Sequence, residues 1–494
     1  MVTLCDALNP YQQYADRNLS IVTRLKQPCF LCALLALLTL SACGGGGGGA
    51  GSDGESGSNN PETVPPTVTQ SCGVESQKDF VLSVARDWYL WYDELASVSQ
   101  SEFASAGEYL NALTAPLAED FRDPGFSYLT TVAEDEANFS SGAFVGFGFR
   151  FAINDAGQYL VSDAFEGAPA AEAGFVRGAE FLAVDAGDGF VTLREFEDQG
   201  AGLDDIFGGS VAGLERSFRL RIDGSIVEVT AAKRELDVPP LATAPRILER
   251  PGLPPVAYLH LRSFTLSAEP ALDEAFTAIS NQGITDFIVD LRYNSGGLVN
   301  VAARFMDLLG GEIANGEIAF SISHNDKRTA ENESFAFNAR PPSAAPLRIA
   351  FITSETTASA SELLINSLEP YVEVVLIGSD TSGKAVGQYA FDQRGCDTRL
   401  RLVSFESVNG EGFGGFYTGL VDTGRFTLCA VEDPFTGAFG TTEDALTEGA
   451  LAWLNEGSCP ASVGISSAGR RTLRRGSSPI GAEDRPDRRS TWLQ

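Results

Sequence analysis

The chain has 494 residues, 44% of them hydrophobic and 10% aromatic, which fits a globular protein of several domains and excludes a disordered one. Its formal net charge of −31 argues against a nucleic-acid partner, whose phosphates would repel such a surface. With two histidines in the whole chain, His260 and His324, neither in a catalytic-looking context, a serine nucleophile would have to find its base elsewhere, and lysine is the natural substitute.

Arg24 and Lys26 precede an apolar run from Cys29 to Leu40 that ends in Leu40-Ser41-Ala42-Cys43. A bilayer span takes roughly 20 apolar residues, so this shorter run with its basic flank and small-residue end predicts a secretory signal over residues 1–42. Leu-Ser-Ala-Cys resembles the bacterial lipobox, which implies that Cys43 becomes the acylated first residue. The long stretch before the apolar run leaves the true start open. Cys29-x-x-Cys32 falls in the discarded part and is not read as a metal or redox pair. Residues 43–71, opening on Gly44–Gly49, predict a flexible tether that holds the body away from a membrane. Cys72, Cys396, Cys429 and Cys459 remain, an even number that favours disulfides in an exported protein. The preferred pairing is Cys396–Cys429 with Cys72–Cys459, the latter stapling the ends of the body, although sequence leaves the connectivity open.

Ser76 to Leu95 predicts an amphipathic helix, with Phe80, Val84, Trp88, Trp91 and Leu95 as a packing stripe and Ser76 with Asp79 as the capping pair. Polar, partly helical sequence follows to about residue 140. From Phe144 the pattern changes to short strands: Val145–Phe149, Tyr159–Ser162, Gly178–Asp185, Phe218–Arg221 and Val227–Thr230, with Ala168–Gly174 between the second and third. This order resembles a PDZ domain over 141–235, with Gly146-Phe147-Gly148-Phe149 where that family binds a peptide carboxylate. Successive backbone N–H groups in a glycine turn form an anion nest, and a strand edge accepts an extended peptide. Asp185 to Glu195 has the look of a calcium loop, but the first and third ligand positions would fall on Val184 and Ala186, so an exposed turn is expected and no metal.

From about residue 237 strands and helices alternate, which predicts a mixed α/β core. Strands are expected at Val256–Leu261, Ile284–Leu291, Leu347–Thr353 and Val374–Ile377, helices near Ala271–Asn281 and after Ser359, and a closing helix through Leu446, Ala450, Leu451 and Leu454. Ser359-Ala360-Ser361-Glu362 is a capping box at a helix start. The same position would expose a nucleophile and aim the Ala360 N–H at a developing oxyanion, and Gly296 and Gly297, lacking side chains, could bring a second donor close. Lys384, flanked by Gly383, Ala385, Val386 and Gly387, could act as base once neutral. From about 10.4 its pKa must fall by roughly three units, about 4 kcal/mol, and burial can supply up to about 3–5 units. Gln388 lies four residues on and could orient the amine. Gly378 to Lys384 has P-loop spacing, but Ala385 stands where the motif requires Ser or Thr, and the following residues read poorly as a helix.

Asp290-Leu-Arg-Tyr-Asn-Ser-Gly-Gly297, Thr357-Ala-Ser-Ala-Ser-Glu362 and Thr381-Ser-Gly-Lys-Ala-Val-Gly-Gln388, in this order, resemble the carboxy-terminal processing (tail-specific) serine peptidases with an inserted PDZ domain. The resemblance covers roughly residues 75–460 and implies an N-terminal helical region at 72–140, a PDZ-like domain at 141–235 and a peptidase core at 236–460. It also implies Ser359 as nucleophile, Lys384 as general base oriented by Gln388, and an oxyanion hole from Gly296, Gly297 and Ala360. Ser382 departs from the family, where many members have an aromatic residue. The expected activity is endopeptidase cleavage of protein substrates without a cofactor, by a lipoprotein of the cell envelope anchored in the outer membrane and facing the periplasm. The alternative is a non-catalytic lipoprotein that binds peptides or apolar ligands on the same fold. Residues 461–494, with seven arginines against three acidic residues, predict a disordered basic tail.

Overall fold

A computed structural model describes residues 71–459, apart from 141, 155, 201, 202 and 281. The signal and lipobox with Cys43, most of the tether and the basic tail lie outside the described residues.

The core is a six-stranded sheet in the order Arg246–Arg250, Leu253–His260, Asp286–Asp290, Arg348–Thr353, Glu373–Gly378, Leu428–Ala430. The first pair is antiparallel and the rest are parallel. Parallel strands are covered on both faces and so read as continuous apolar runs. Here Phe287, Val289, Ile349, Phe351 and Leu376 face helices Ala268–Ser280, Val299–Ala314 and Ala360–Leu368. The alternate residues Ile288, Ala350, Ile352, Val375 and Ile377 face helix Ala445–Glu456. Asp286–Asp290 and Arg348–Thr353 are adjacent and run the same way. The turns that leave their C-terminal ends therefore emerge side by side, as ligand-binding turns do in open α/β sheets. One holds Gly296 and Gly297, the other Ser359.

A second sheet carries Arg399–Asn409 paired with Val386–Asp392, Ile318–His324 and Tyr128–Thr130. Residues 149–232 form a third sheet, edged by Phe149–Ile153 and Ser225–Ala232, around buried Phe147, Phe149, Phe175, Phe181, Phe207 and Phe218. This β-domain meets the core through a buried two-pronged ion pair, Arg262 to Asp163 at 2.8 and 3.1 Å.

Two expectations are corrected. The first helix spans Val74–Trp88, its N-cap is Gly73, and no side chain caps it. Ser76 Oγ instead accepts from Gln393, and the helix stops early because the Leu90 N–H is captured by the Val403 carbonyl of the second sheet. Trp91 and Leu95 pack on the same cluster from beyond the helix. The disulfides are Cys72–Cys396 and Cys429–Cys459. The edge strand carrying Cys429 lies against the helix that delivers Cys459, and Cys396, in the turn between Val386–Asp392 and Arg399–Asn409, meets the start of the first helix. The long-range pairing that staples the body thus joins its N-terminus to a hairpin turn.

Candidate functional site

Ser359 is half-buried at the helix start with φ 56° and ψ −117°, a conformation that L residues avoid and that helices never require. The strain is held from both sides. Before it, Thr357 Oγ1 donates to the Leu291 carbonyl at 2.9 Å, and the Ala358 N–H donates to the Asn294 carbonyl at 3.1 Å. After it, Ser361 Oγ donates to that same carbonyl at 3.1 Å. The Ala360 N–H opens the helix and belongs to the first-turn donors that have no intrahelical acceptor.

Gly296 comes against this corner. A Cβ on it would stand 2.8 Å from the Ser359 Cβ and 2.9 Å from the Ala360 nitrogen, at φ +104°, so no side chain fits. Gly297, at φ +140°, is pressed equally hard on Phe264. The Gly296 N–H, expected as an oxyanion donor, instead donates to Asn294 Oδ1 at 2.9 Å. Asn294 is fully buried and its amide nitrogen donates to the Leu261 carbonyl at 2.8 Å, so this one side chain sets the turn.

Glu362 joins the two halves of the site. Fully buried, it accepts the Ser359 N–H on Oε2 at 2.8 Å, the Lys384 N–H on the same oxygen at 2.9 Å, and the Gly383 N–H on Oε1 at 2.7 Å. The Ser359 and Lys384 nitrogens therefore lie no more than 5.7 Å apart (2.8 plus 2.9 Å). Burial pushes the Glu362 carboxyl up to about 7, against the pull of the Thr381 hydroxyl and the three N–H donors. Gly383, at φ +87°, lets this segment pass close to the Tyr417 carbonyl.

Lys384 is half-buried, its ammonium 5.0 Å from the centre of the Phe126 ring, and it donates to Gln388 Oε1 at 2.6 Å. Gln388 Nε2 in turn donates to the Phe126 carbonyl. The chain thus brings Ser359, Ala360, Gly296, Lys384 and Gln388 into one locality. Phe147 and Phe149 of the expected carboxylate-binding turn point into the β-domain core, and Gly148 packs against the Ala168 methyl. His260 and His324 are both buried, the former held neutral by desolvation first and by Arg292 and Arg262 beside it.

Several contributors escaped the sequence. Glu362 was visible, but as a cap; its reach to Gly383 and Lys384 follows from the fold. Asn294 and Phe126 gave no signal beyond their motif or apolar context. The β-domain also enters: Arg150 donates to the carbonyl of Tyr293, itself at φ 63°, at 3.0 Å. Arg177 donates to the Tyr293 hydroxyl at 3.3 Å.

Residues 255–412 match the family model described as peptidase family S41, and residues 76–128 match the peptidase S41 N-terminal domain. A carboxyl-terminal-processing protease of Synechocystis sp. is 26% identical over 274 residues, which are 54% of this chain and 60% of that protein. A chloroplastic C-terminal processing peptidase of Tetradesmus obliquus is 33% identical over 151 residues, 28% of this chain and 30% of that protein. The chain thus spans less than two thirds of these curated relatives. Among solved structures, a putative S41 protease from Bacteroides fragilis superposes with a TM-score of 0.61 at 25% identity, covering 77% of this chain and 97% of that one.

Proposed function

We propose that the chain is a serine endopeptidase of the S41 kind, whose family models match residues 255–412 and 76–128, and that it works through Ser359 and Lys384. The observation that carries this reading is the shared Glu362 oxygen, which ties the backbones of both residues to one buried anchor. The Lys384 amine, once neutral, takes the Ser359 proton as Oγ attacks the peptide carbonyl. The carbonyl's π electrons move onto oxygen, where the Ala360 N–H and the Gly297 N–H of the adjoining turn stabilise the charge, the Gly296 N–H being held by Asn294. Lys384 then protonates the leaving amine as the C–N bond breaks. Water, deprotonated by the same amine, hydrolyses the acyl-enzyme.

The substrate reading is that the β-domain, as a PDZ-like module, takes the C-terminal end or another extended segment of a protein through the Gly146–Phe149 turn and the edge strand Phe149–Ile153. The location reading is a lipid anchor at Cys43, supported by Leu40-Ser41-Ala42-Cys43; a Cys43→Ser chain that still partitions with membranes and carries acyl groups would refute it.

The test is casein cleavage by the wild type, Ser359→Ala and Lys384→Ala, together with a fluorophosphonate probe located by mass spectrometry. Both variants should lose cleavage while keeping the wild-type melting profile, and the probe should label Ser359. Cleavage retained by Ser359→Ala would end the proposal, and a folded wild type that neither cleaves nor labels would favour the non-catalytic binder.

A further inference from the structure

Behind Lys384 and Gln388 runs a buried chain of polar groups that belongs to the N-terminal region. Asp123 is fully buried. Its Oδ1 accepts the Ser127 N–H at 3.0 Å, and its Oδ2 accepts both Ser127 Oγ at 2.7 Å and the Tyr89 hydroxyl at 2.9 Å. Burial, and then Asp123 itself, push the Tyr89 phenol well above its usual range, so it stays a donor. Ser127 Oγ in turn accepts the Val403 N–H at 3.1 Å, and Val403 is the strand partner of Gln388, where the pairing shifts register. The loop closed by Asp123 contains Phe126, whose carbonyl accepts from Gln388 Nε2 and whose ring lies 5.0 Å from the Lys384 ammonium.

The chemistry of these partners is one-directional. The Phe126 backbone carbonyl can only accept, so the Gln388 amide has one allowed orientation, nitrogen to Phe126 and hence oxygen to Lys384. With one N–H held by Gln388, the lone pair of the neutral amine is confined to the remaining positions on nitrogen. Take the Phe126 carbonyl away and the amide is free to turn.

We infer that Asp123 is a positioning residue of the catalytic site: by closing the 123–127 loop it sets the Phe126 carbonyl, which orients Gln388 and through it Lys384. The N-terminal region is on this account part of the active site rather than an appendage beside it. The inference rests on the Ser359–Lys384 reading.

The experiment measures fluorescein-casein cleavage by the full chain as wild type, Ser359→Ala, Asp123→Ala, Asp123→Asn and, as control, Thr114→Ala. Thr114 is equally buried in the same region, but its hydroxyl bonds within its own helix, to the Leu110 carbonyl. Misplacing a general base should cost Asp123→Ala about 30-fold or more in kcat, with KM within about threefold. Asp123→Asn, which keeps the Oδ1 acceptor for Ser127, should recover part of the loss, and Thr114→Ala should stay within about twofold of wild type. Should Asp123→Ala fail to fold, Tyr89→Phe and Ser127→Ala read the same chain and should show the same split of kcat from KM. A kcat near wild type in these variants while Ser359→Ala is dead, or a loss confined to KM, or an equal loss in Thr114→Ala, overturns this inference alone. A wild type without Ser359-dependent cleavage overturns the dyad reading and this inference with it.

Discussion

A single methyl at Gly296 should silence the site. The added Cβ would sit 2.8 Å from the Ala358 carbonyl oxygen, 2.8 Å from the Ser359 Cβ and 2.9 Å from the Ala360 nitrogen. Ordinary carbon contacts begin at about 3.5 Å, so the two turns must part by roughly half an ångström. The backbone at φ +104° adds strain of about 1–3 kcal/mol for any L residue. The methyl lands where the Ala360 N–H would meet an oxyanion, and losing one such donor costs about 10²–10³ in kcat. Gly316→Ala separates strain from obstruction. Gly316 has φ +85° in an exposed turn with nothing within 4 Å of its would-be Cβ, so the variant carries the strain without the collision. Casein kinetics and thermal melts of both variants should show a lowered melting point in each and lost turnover in Gly296→Ala alone. Turnover within about fivefold of wild type in a folded Gly296→Ala protein would refute the geometry.

Three further outcomes follow from the same contacts. Glu362, raised to about 7 from 4.5 by burial, binds more protons folded than unfolded between those values, so its contribution is present below pH 4.5 and is lost as pH rises through 7, about 3 kcal/mol in all. Urea melts at pH 5 and pH 8 should show that loss in the wild type relative to Glu362→Gln; parallel behaviour would contradict it. The same variant offers one acceptor oxygen where two serve three N–H groups, so its cleavage rate should fall sharply. The disulfides close separations of 324 and 30 residues, which chain entropy values at about 6 and 4 kcal/mol, so denaturant midpoints should fall further for Cys72→Ala/Cys396→Ala than for Cys429→Ala/Cys459→Ala. Arg150→Met keeps the buried volume but releases the Tyr293 carbonyl, and kcat should drop about tenfold or more as the oxyanion turn relaxes; an unchanged rate would mean that the β-domain contact does not set that turn.

The α/β core was legible because a parallel sheet writes itself as unbroken apolar runs: Ile284–Leu291 and Leu347–Thr353 were placed within a residue or two of the observed strands. The end of the first helix was not. Periodicity continues through Trp91 and Leu95, yet at Leu90 the chain exchanges its helical bond for the Val403 carbonyl, a partner more than 300 positions away. The cysteine pairing failed for the same kind of reason. Stapling the two ends of the body is a sound argument about entropy, but the pairs are chosen by which turn lies beside which helix end.

The site shows the same boundary more sharply. Ser359 announced itself through the helix-start pattern and Lys384 through its glycines, because each motif is local. What makes them one site is not local. Glu362 is three residues from Ser359 and 22 from Lys384, and a capping glutamate satisfies Ser-x-x-Glu whether or not a second segment docks on its other oxygen. Asn294, spending its amide on the Leu261 carbonyl and the Gly296 N–H, looks in sequence like any turn asparagine. Each of these side chains is buried, polar and fully engaged, and a buried carboxylate or amide carries a penalty of a few kcal/mol unless its partners are all in place. Such groups therefore persist where several backbone segments must be held in one arrangement at once. In this chain Glu362 and Asn294 are such groups, and between them they hold the segments that carry Ser359, Gly296 and Lys384.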